Sequence, residues 1–513
     1  MSDPKAAPLP DTSPTTTSRG AYMALTAALL GWMFDGAEMG LFSLVGNAAV
    51  KDLLGTAREG QAGAWFGSII ATFLVGAATG GVVFGWLGDR IGRVRAMSLS
   101  VLVYALFTGF CGFAQNVEQL AVLRFIASLG MGGEWSLGVA LVMEVWPNRS
   151  RAFMAGLIGA SANVGYLLVA FVGMGLDSML STTIPATLTS LGLPETTITM
   201  LTAHKGWRLM MMMGTAPALL TFLFRIFVPE SRKWEEEHKK GTTSHWASAD
   251  LLGVLIGLIG PVMIIVVWSY DIPWLPLAGR IVVTIVGLAI AVVGYTFPVV
   301  QFMKRSTAAE GAAASADLSG TMYKMLIGAG LSGVALLGTW ASMQWAAKWA
   351  GEMTDNQHLS REWTQVWLSV GAIVGTILAA LAGDWLGRRV TFFMLCLLSL
   401  ASAQFLYGYN TQVDNMFFAS CFVAGACTAS FYGWLPLYLP ELFPTRLRAT
   451  GQGFSFNFGR ILAAVGALQA GVLQDKVFDG KFPKAGMAMS LIYIIGLGII
   501  WLAPETKGKP LPE

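Results

Sequence analysis

Four ionisable side chains lie where an apolar helix would cross a bilayer: Asp35 and Glu38 in GWMFDGAEMG, Glu134 in GMGGEWSL, and Arg460 in FNFGRILAAVG. On insertion scales a charge at a helix centre costs about 2.5–3.5 kcal/mol, so such residues face a cavity or a partner. Arginine keeps its charge and presents a planar fork that fits a carboxylate. A carboxyl group in a low-dielectric site has a raised pKa and exchanges a proton near neutral pH. The set therefore suits an anion held at Arg460 with proton exchange at Asp35, Glu38 or Glu134. The plainer alternative is that Arg460 neutralises an acid across an interface and serves packing alone.

No other chemistry competes with this one. The four cysteines, Cys111, Cys396, Cys421 and Cys427, sit in apolar runs without metal or redox spacing, and the four histidines are scattered through polar connections. With no Ser/His/Asp set, metal cluster or phosphate-cradling loop, the expectation is a protein that is not an enzyme. It needs no cofactor or metal, and a proton gradient is its energy source.

Elements that position such residues must cross a membrane. The 513 residues are 55% hydrophobic and 12% charged, against about 25% charged in soluble domains. The net charge of +3 gives no reason to expect a nucleic-acid partner. Apolar runs fall near 21–45, 63–87, 96–114, 118–145, 151–175 and 207–228, then 250–270 and 279–302. The rest lie near 323–346, 363–386, 390–409, 415–440, 449–471 and 486–503, about fourteen helices in all. The fold class is thus an all-α membrane protein. Lysine and arginine concentrate in alternate connections, which places both termini in the cytoplasm. The long connection DSMLSTTIPATLTSLGLPETTITMLTAHKG falls on the other side and has room for a short surface helix.

The chain repeats itself. GWLGDRIGRVRAM (85–97) matches LAGDWLGRRVTFF (381–393), and MEVWPNRSRAFMAG (143–156) matches PELFPTRLRATGQG (440–453) at nearly the same offset. That offset pairs Glu144 and Arg151 with Glu441 and Arg448, and Asn163 with Arg460. The division that follows is a cytoplasmic tail at 1–20, a six-helix half at 21–228 and a linker with two extra helices at 229–322. A second six-helix half at 323–503 and a tail at 504–513 complete it. Repeats of this kind are typical of secondary transporters, whose substrate site lies near the midplane between the halves. Trp340 and Gln344 in GTWASMQWAAKW, and Tyr432 and Trp434 in SFYGWLPLYLP, could line that site, as could Arg124.

GDRIGR, its echo GDWLGR, and RFIASLGMGGEW followed by EVWPNRSR resemble the signature motifs of the major facilitator superfamily. LLGWMFDGAEM, GMGGEWSLGVALVMEVWP, GWRLMMMMGTAP with PESRKWEEEH, and GFSFNFG narrow the resemblance to the sialate:proton symporters and lactate/pyruvate permeases. That resemblance implies the major facilitator fold and alternating access, with the extra helix pair between the halves. It also implies that Gly85, Gly88, Asp89, Arg90, Gly92, Arg93, Glu144 and Arg151 form a latch on the inner face. Asp384, Arg388, Glu441 and Arg448 form its second copy. Gly85, Gly88 and Gly92 would permit close approach and a tight turn, and Arg93 would pair with Glu144. Trp385 replaces Arg90 in the second copy, which should weaken it. The function expected is proton-coupled import of a small organic anion, a carboxylate such as lactate or pyruvate, sialate or an aromatic acid. The expected setting is a monomer in the inner (plasma) membrane. The rivals are an exporter, a carrier of neutral sugars or drugs, and a membrane sensor that binds solute without moving it.

Overall fold

The computed structural model describes residues 19–145, 151–215, 219, 235, 239, 249–270, 272–310, 318–509 and 511–512. Among these, every regular element is helical. Helices α1 (Arg19–Leu54), α2 (Ala62–Ile91), α3 (Arg93–Cys111), α4 (Val117–Val145) and α5 (Arg151–Met179) come first. A short helix α6 (Thr183–Ser190) with no buried residue follows, then α7 (Glu195–Met213), which is broken at Ala203–Gly206. The surface helix expected in the long connection is therefore α6 together with the first part of α7.

An inserted hairpin is formed by α8 (Asp250–Ser269) and α9 (Leu277–Glu310). The chain continues with α10 (Leu318–Ala341), α11 (Ala346–Thr354), α12 (Ser360–Leu386), α13 (Arg388–Tyr409) and α14 (Asn415–Thr428). It ends with α15 (Phe431–Tyr438), α16 (Thr445–Val472), α17 (Phe482–Ser490) and α18 (Ile492–Ile499).

Eleven described helical runs are long and apolar enough to cross a membrane. Two more, α4 and α16, have 29 and 28 residues, ample at a rise of about 1.5 Å per residue. They carry the polar groups that matter, Arg124 and Glu134 on α4, Asn457 and Arg460 on α16. The span expected at 207–228 lies largely outside the described residues.

Packing follows the repeat. Helix α1 lies along α5 and α2 along α4, while α10 lies along α16 and α12 along α14. The N-terminal and C-terminal helices meet along two seams, α2 against α16 and α5 against α12. Close approach comes from small residues: a Cβ on Gly36 would strike the Ala162 carbonyl, and one on Gly165 the Met33 carbonyl. This draws α1 and α5 together beside Asp35. The turns after α2 and α12 are superposable in backbone terms, with Gly92 at φ 108° and Gly387 at φ 100°, a region costly for residues with a Cβ. Gly88 fits the side chain of Leu137, but no described atom lies within 4 Å of a Cβ built on Gly85. Among the described residues, the close approach expected at Gly85 is not seen.

The hairpin packs outside the bundle against α2, and it also touches α16. Tyr295 Oη and Thr79 Oγ1 are hydrogen-bonded at 2.6 Å, Ser269 donates to Ser68 at 2.7 Å, and Arg305 pairs with buried Asp250. Its other face is exposed through Leu255, Ile259, Ile285 and similar residues, as a lipid-facing surface requires.

Candidate functional site

A cavity of about 150 Å³ lies between the N-terminal and C-terminal helices. Asp35 of α1 and Asn163 of α5 line it on one side, with Trp340, Gln344, Tyr432 and Arg460 on the other. Asp35 and Arg460 are the charged residues among those lining the cavity. The repeat-related pair Asn163 and Arg460 thus reaches one cavity from opposite sides.

Arg460 is held on its own helix: Nη1 donates to Asn457 Oδ1 at 2.8 Å and to the Ala77 carbonyl of α2 at 3.4 Å. Its guanidinium stands 4.9 Å from the centre of the Phe456 ring, and Phe456 stacks on Trp135 of α4 at 3.7 Å and 7°. The carboxylate of Asp35 is close enough to attract the guanidinium. One wall therefore offers a fixed cation backed by a flat aromatic stack, with an acid facing it.

Glu38 is placed elsewhere. It pairs with Arg124 and accepts a hydrogen bond from Thr108 at 3.2 Å, and the Arg124 guanidinium sits between the Phe42 and Phe73 rings at 4.7 and 4.6 Å. Both members of the pair are buried. Neither lines the main cavity, so the substrate contact expected of Arg124 is replaced by a contact with Glu38. Glu134 is fully buried and also off the wall, where its neighbour Trp135 stands instead. Trp434 is a further correction. Its indole donates to the Arg388 carbonyl at 3.2 Å and stacks on Tyr438, away from the cavity. Residues two apart on a helix point to nearly opposite faces, so Tyr432 and Trp434 cannot share one wall.

Several cavity residues carried no charge to draw notice in the sequence. Ser43, Tyr166 and Gln365 line it. The α10 helix stops at Ala341, and a 3-10 turn, Met343–Trp345, leads into α11. At this break the Ser342 carbonyl accepts from the Trp345 N–H at 3.2 Å and from the Tyr407 hydroxyl at 2.8 Å. This break turns Gln344 across to the N-terminal helices, where its Nε2 donates to Tyr166 Oη at 2.6 Å and its Oε1 accepts from Ser43. Gln365 donates to the Tyr166 carbonyl at 3.0 Å and Arg361 to the Leu44 carbonyl at 2.8 Å. These bonds link the N-terminal and C-terminal helices on the side of the cavity away from the Gly-Asp motifs.

At the motif end Glu441 is the hub. Arg388 Nη2 and Nε donate to its two oxygens at 2.7 and 3.0 Å, Arg151 reaches it from α5 at 3.0 Å, and Thr506 Oγ1 donates at 2.6 Å. All four are buried. Arg151 thus bonds Glu441, the counterpart of Glu144, tying the two sets of helices together. Asp384 is exposed and contributes a 3.4 Å contact to Arg388. Arg448 donates to the Pro440 and Pro512 carbonyls. The tail after α18 is part of this cluster, since Glu505 accepts the backbone N–H groups of Arg388 and Arg389 at 3.1 and 3.0 Å. Trp385, which stands where the first copy has Arg90, is exposed, and Arg388 makes its bonds to Glu441 without it. In the first copy Arg90 lies over Trp86 at 5.2 Å and Arg93 is buried. The side chains of Asp89 and Glu144, and with them the expected Arg93–Glu144 pair, lie outside the described residues.

The profile of the sugar (and other) transporter family matches residues 21–250 and 277–507. The chain belongs to that family. Among solved structures, the proton:xylose symporter XylE bound to 6-bromo-6-deoxy-D-glucose aligns over 97% of this chain and 98% of its own, at a TM-score of 0.66 and 18% identity. The fold is that of the major facilitator superfamily. The niacin transporter NiaP of Acinetobacter baylyi is 25% identical over 497 residues, 96% of this chain and 95% of that protein. The cis,cis-muconate transport protein of the same organism is 25% identical over 477 residues, 92% of each. Family and relatives together make this protein a multi-pass membrane transporter, not an enzyme.

Proposed function

We propose that the protein imports a compact organic carboxylate together with a proton. The observation that carries this reading is the cavity wall, where Arg460 and Asp35, the charged residues among the described lining, face each other across the seam between the helices that must move apart. An anion on Arg460 leaves Asp35 without its counter-charge, so protonation of Asp35 balances the loaded site. The empty site balances through Asp35 and Arg460 themselves. Both states can then reorient without carrying a net buried charge.

The aromatic stack behind Arg460, with Trp340 and Tyr432 on the same side of the cavity, favours a flat unsaturated or aromatic acid over a polyhydroxylated one. Niacin and cis,cis-muconate, which relatives are named for, are small planar acids of this kind. The Glu38–Arg124 pair is a second proton site behind the cavity. The motif end is cytoplasmic, the membrane is the cell membrane, and the Arg151–Glu441 bridge opens to release substrate inward.

The test is a binding screen on purified protein by thermal shift, setting nicotinate, cis,cis-muconate, lactate, pyruvate and sialate against the neutral amides of the same acids. The expected result is stabilisation by one or more planar acids and none by their amides. Equal stabilisation by acid and amide would overturn the role of Arg460 and favour a carrier of neutral solutes.

A further inference from the structure

Gln344 occupies an unusual position. It belongs to the break between α10 and α11, yet both ends of its amide are held by residues of the N-terminal helices, Ser43 on α1 and Tyr166 on α5. Next to it is a separate cavity of about 10 Å³, bounded by Phe42, Ile70 and Arg124. That is room for about one water molecule. Met39, Ser43, Phe73, Trp340 and Gln344 line this small cavity and the main one alike. The small cavity therefore lies between the substrate cavity and Arg124, which pairs with Glu38. The groups facing Glu38 are Arg124 and Thr108, with Cys111 and Tyr166 close enough to feel its charge.

We propose that Gln344 is a positioning residue that gates the proton. Seated between Ser43 and Tyr166, it closes the single-water passage between the Arg124–Glu38 pair and the substrate cavity. When the α10–α11 break moves away, the passage opens. A water there takes the proton that leaves the Glu38 carboxyl and hands another on to the cavity, so no water is consumed and Glu38 is left ionised against Arg124. Proton movement is thereby tied to the same bend that opens the cavity. This rests on the proton-coupled reading above.

The experiment uses the full chain in proteoliposomes containing a pH-sensitive dye, with an imposed pH gradient and no substrate. Wild type is expected to hold the gradient. Gln344→Ala removes both hydrogen bonds of the gate and is expected to raise the proton leak about tenfold or more. Adding Glu38→Gln should return the leak to the wild-type rate, an effect that general loosening of the fold would not produce. Ser43→Ala, which removes one bond, should give an intermediate leak and serves if Gln344→Ala does not fold. A Gln344→Ala or Ser43→Ala leak at the wild-type rate would overturn the gate, as would a raised leak that persists with Glu38→Gln. The coupling reading is tested separately on wild type: if substrate uptake ignores the pH gradient, that reading fails, and the gate with it.

Discussion

Arg460→Lys keeps the charge and removes the fork, and its effect can be worked from the contacts. Among the described residues, Arg460 uses Nη1 for Asn457 and the Ala77 carbonyl, which leaves Nε and Nη2 as an edge for two parallel bonds to a carboxylate. A lysine ammonium has three donors on one atom. It cannot keep the Asn457 contact, lie over Phe456 and hold both carboxylate oxygens. The loss of one charge-assisted hydrogen bond is about 1.5–3 kcal/mol, which corresponds to a Kd about 10- to 150-fold weaker. Arg460→Gln, which also removes the charge facing Asp35, should cost about 2–5 kcal/mol, a larger loss. The assay is isothermal titration in detergent with the tightest-binding acid of the screen, alongside wild type at the same pH. The reasoning is refuted if Arg460→Lys binds that acid within about threefold of wild type, a difference below 1 kcal/mol.

Other substitutions probe the frame. Glu441→Gln leaves Arg388 and Arg151 facing a neutral amide in a buried site, a loss of about 3–5 kcal/mol; cysteine-labelling of the motif end should rise, and unchanged labelling would show that the hub does not hold that end closed. Tyr295→Phe removes a buried hydroxyl bonded to Thr79 and should lower stability by about 1 kcal/mol, read as a lower melting temperature, while a value equal to wild type would detach the hairpin from α2. At the C-terminal tail, partial burial would raise the Glu505 carboxyl, but the backbone N–H groups of Arg389, Arg388, Lys507 and Thr506 outweigh it and hold the pKa below the usual range. The tail docking that this supplies is present above the ordinary glutamate pKa of about 4.3 and lost as pH falls through the lower folded value. Protection of the amides at residues 503–509, taken relative to the intrinsic exchange rate at each pH, should therefore be high at neutral pH and fall in acid in wild type, and a Glu505→Gln variant should be weakly protected throughout.

Helix number, the repeat and the central charges were legible because each leaves a mark in residue type: apolar length, matching motifs at one offset, and acids in greasy runs. Depth was legible too, since Asp35, Asn163 and Arg460 do reach one cavity. Facing was harder. Asp35 and Glu38 are one turn apart on the same helix, yet one meets Arg460 and the other turns to Arg124, a choice set by which neighbours α1 packs against. The repeat identifies equivalent residues rather than partners, so it paired Glu144 with Glu441 and said nothing of Arg151 crossing to Glu441. Gln344 came to notice as a polar group beside aromatics, but its reach depends on a helix break that no proline marks. Trp135 and Phe456 sit in quoted motifs beside the charged residues that attracted attention, and only their stacking across the seam reveals their place.

The central claim, that a proton and a carboxylate move together, is tested most directly by uptake into proteoliposomes with an acidic exterior. The account predicts accumulation of the acid above the outside concentration, abolished by a protonophore and lost in Asp35→Asn. Uptake that only equilibrates the acid, at the same rate with or without the gradient, would contradict it.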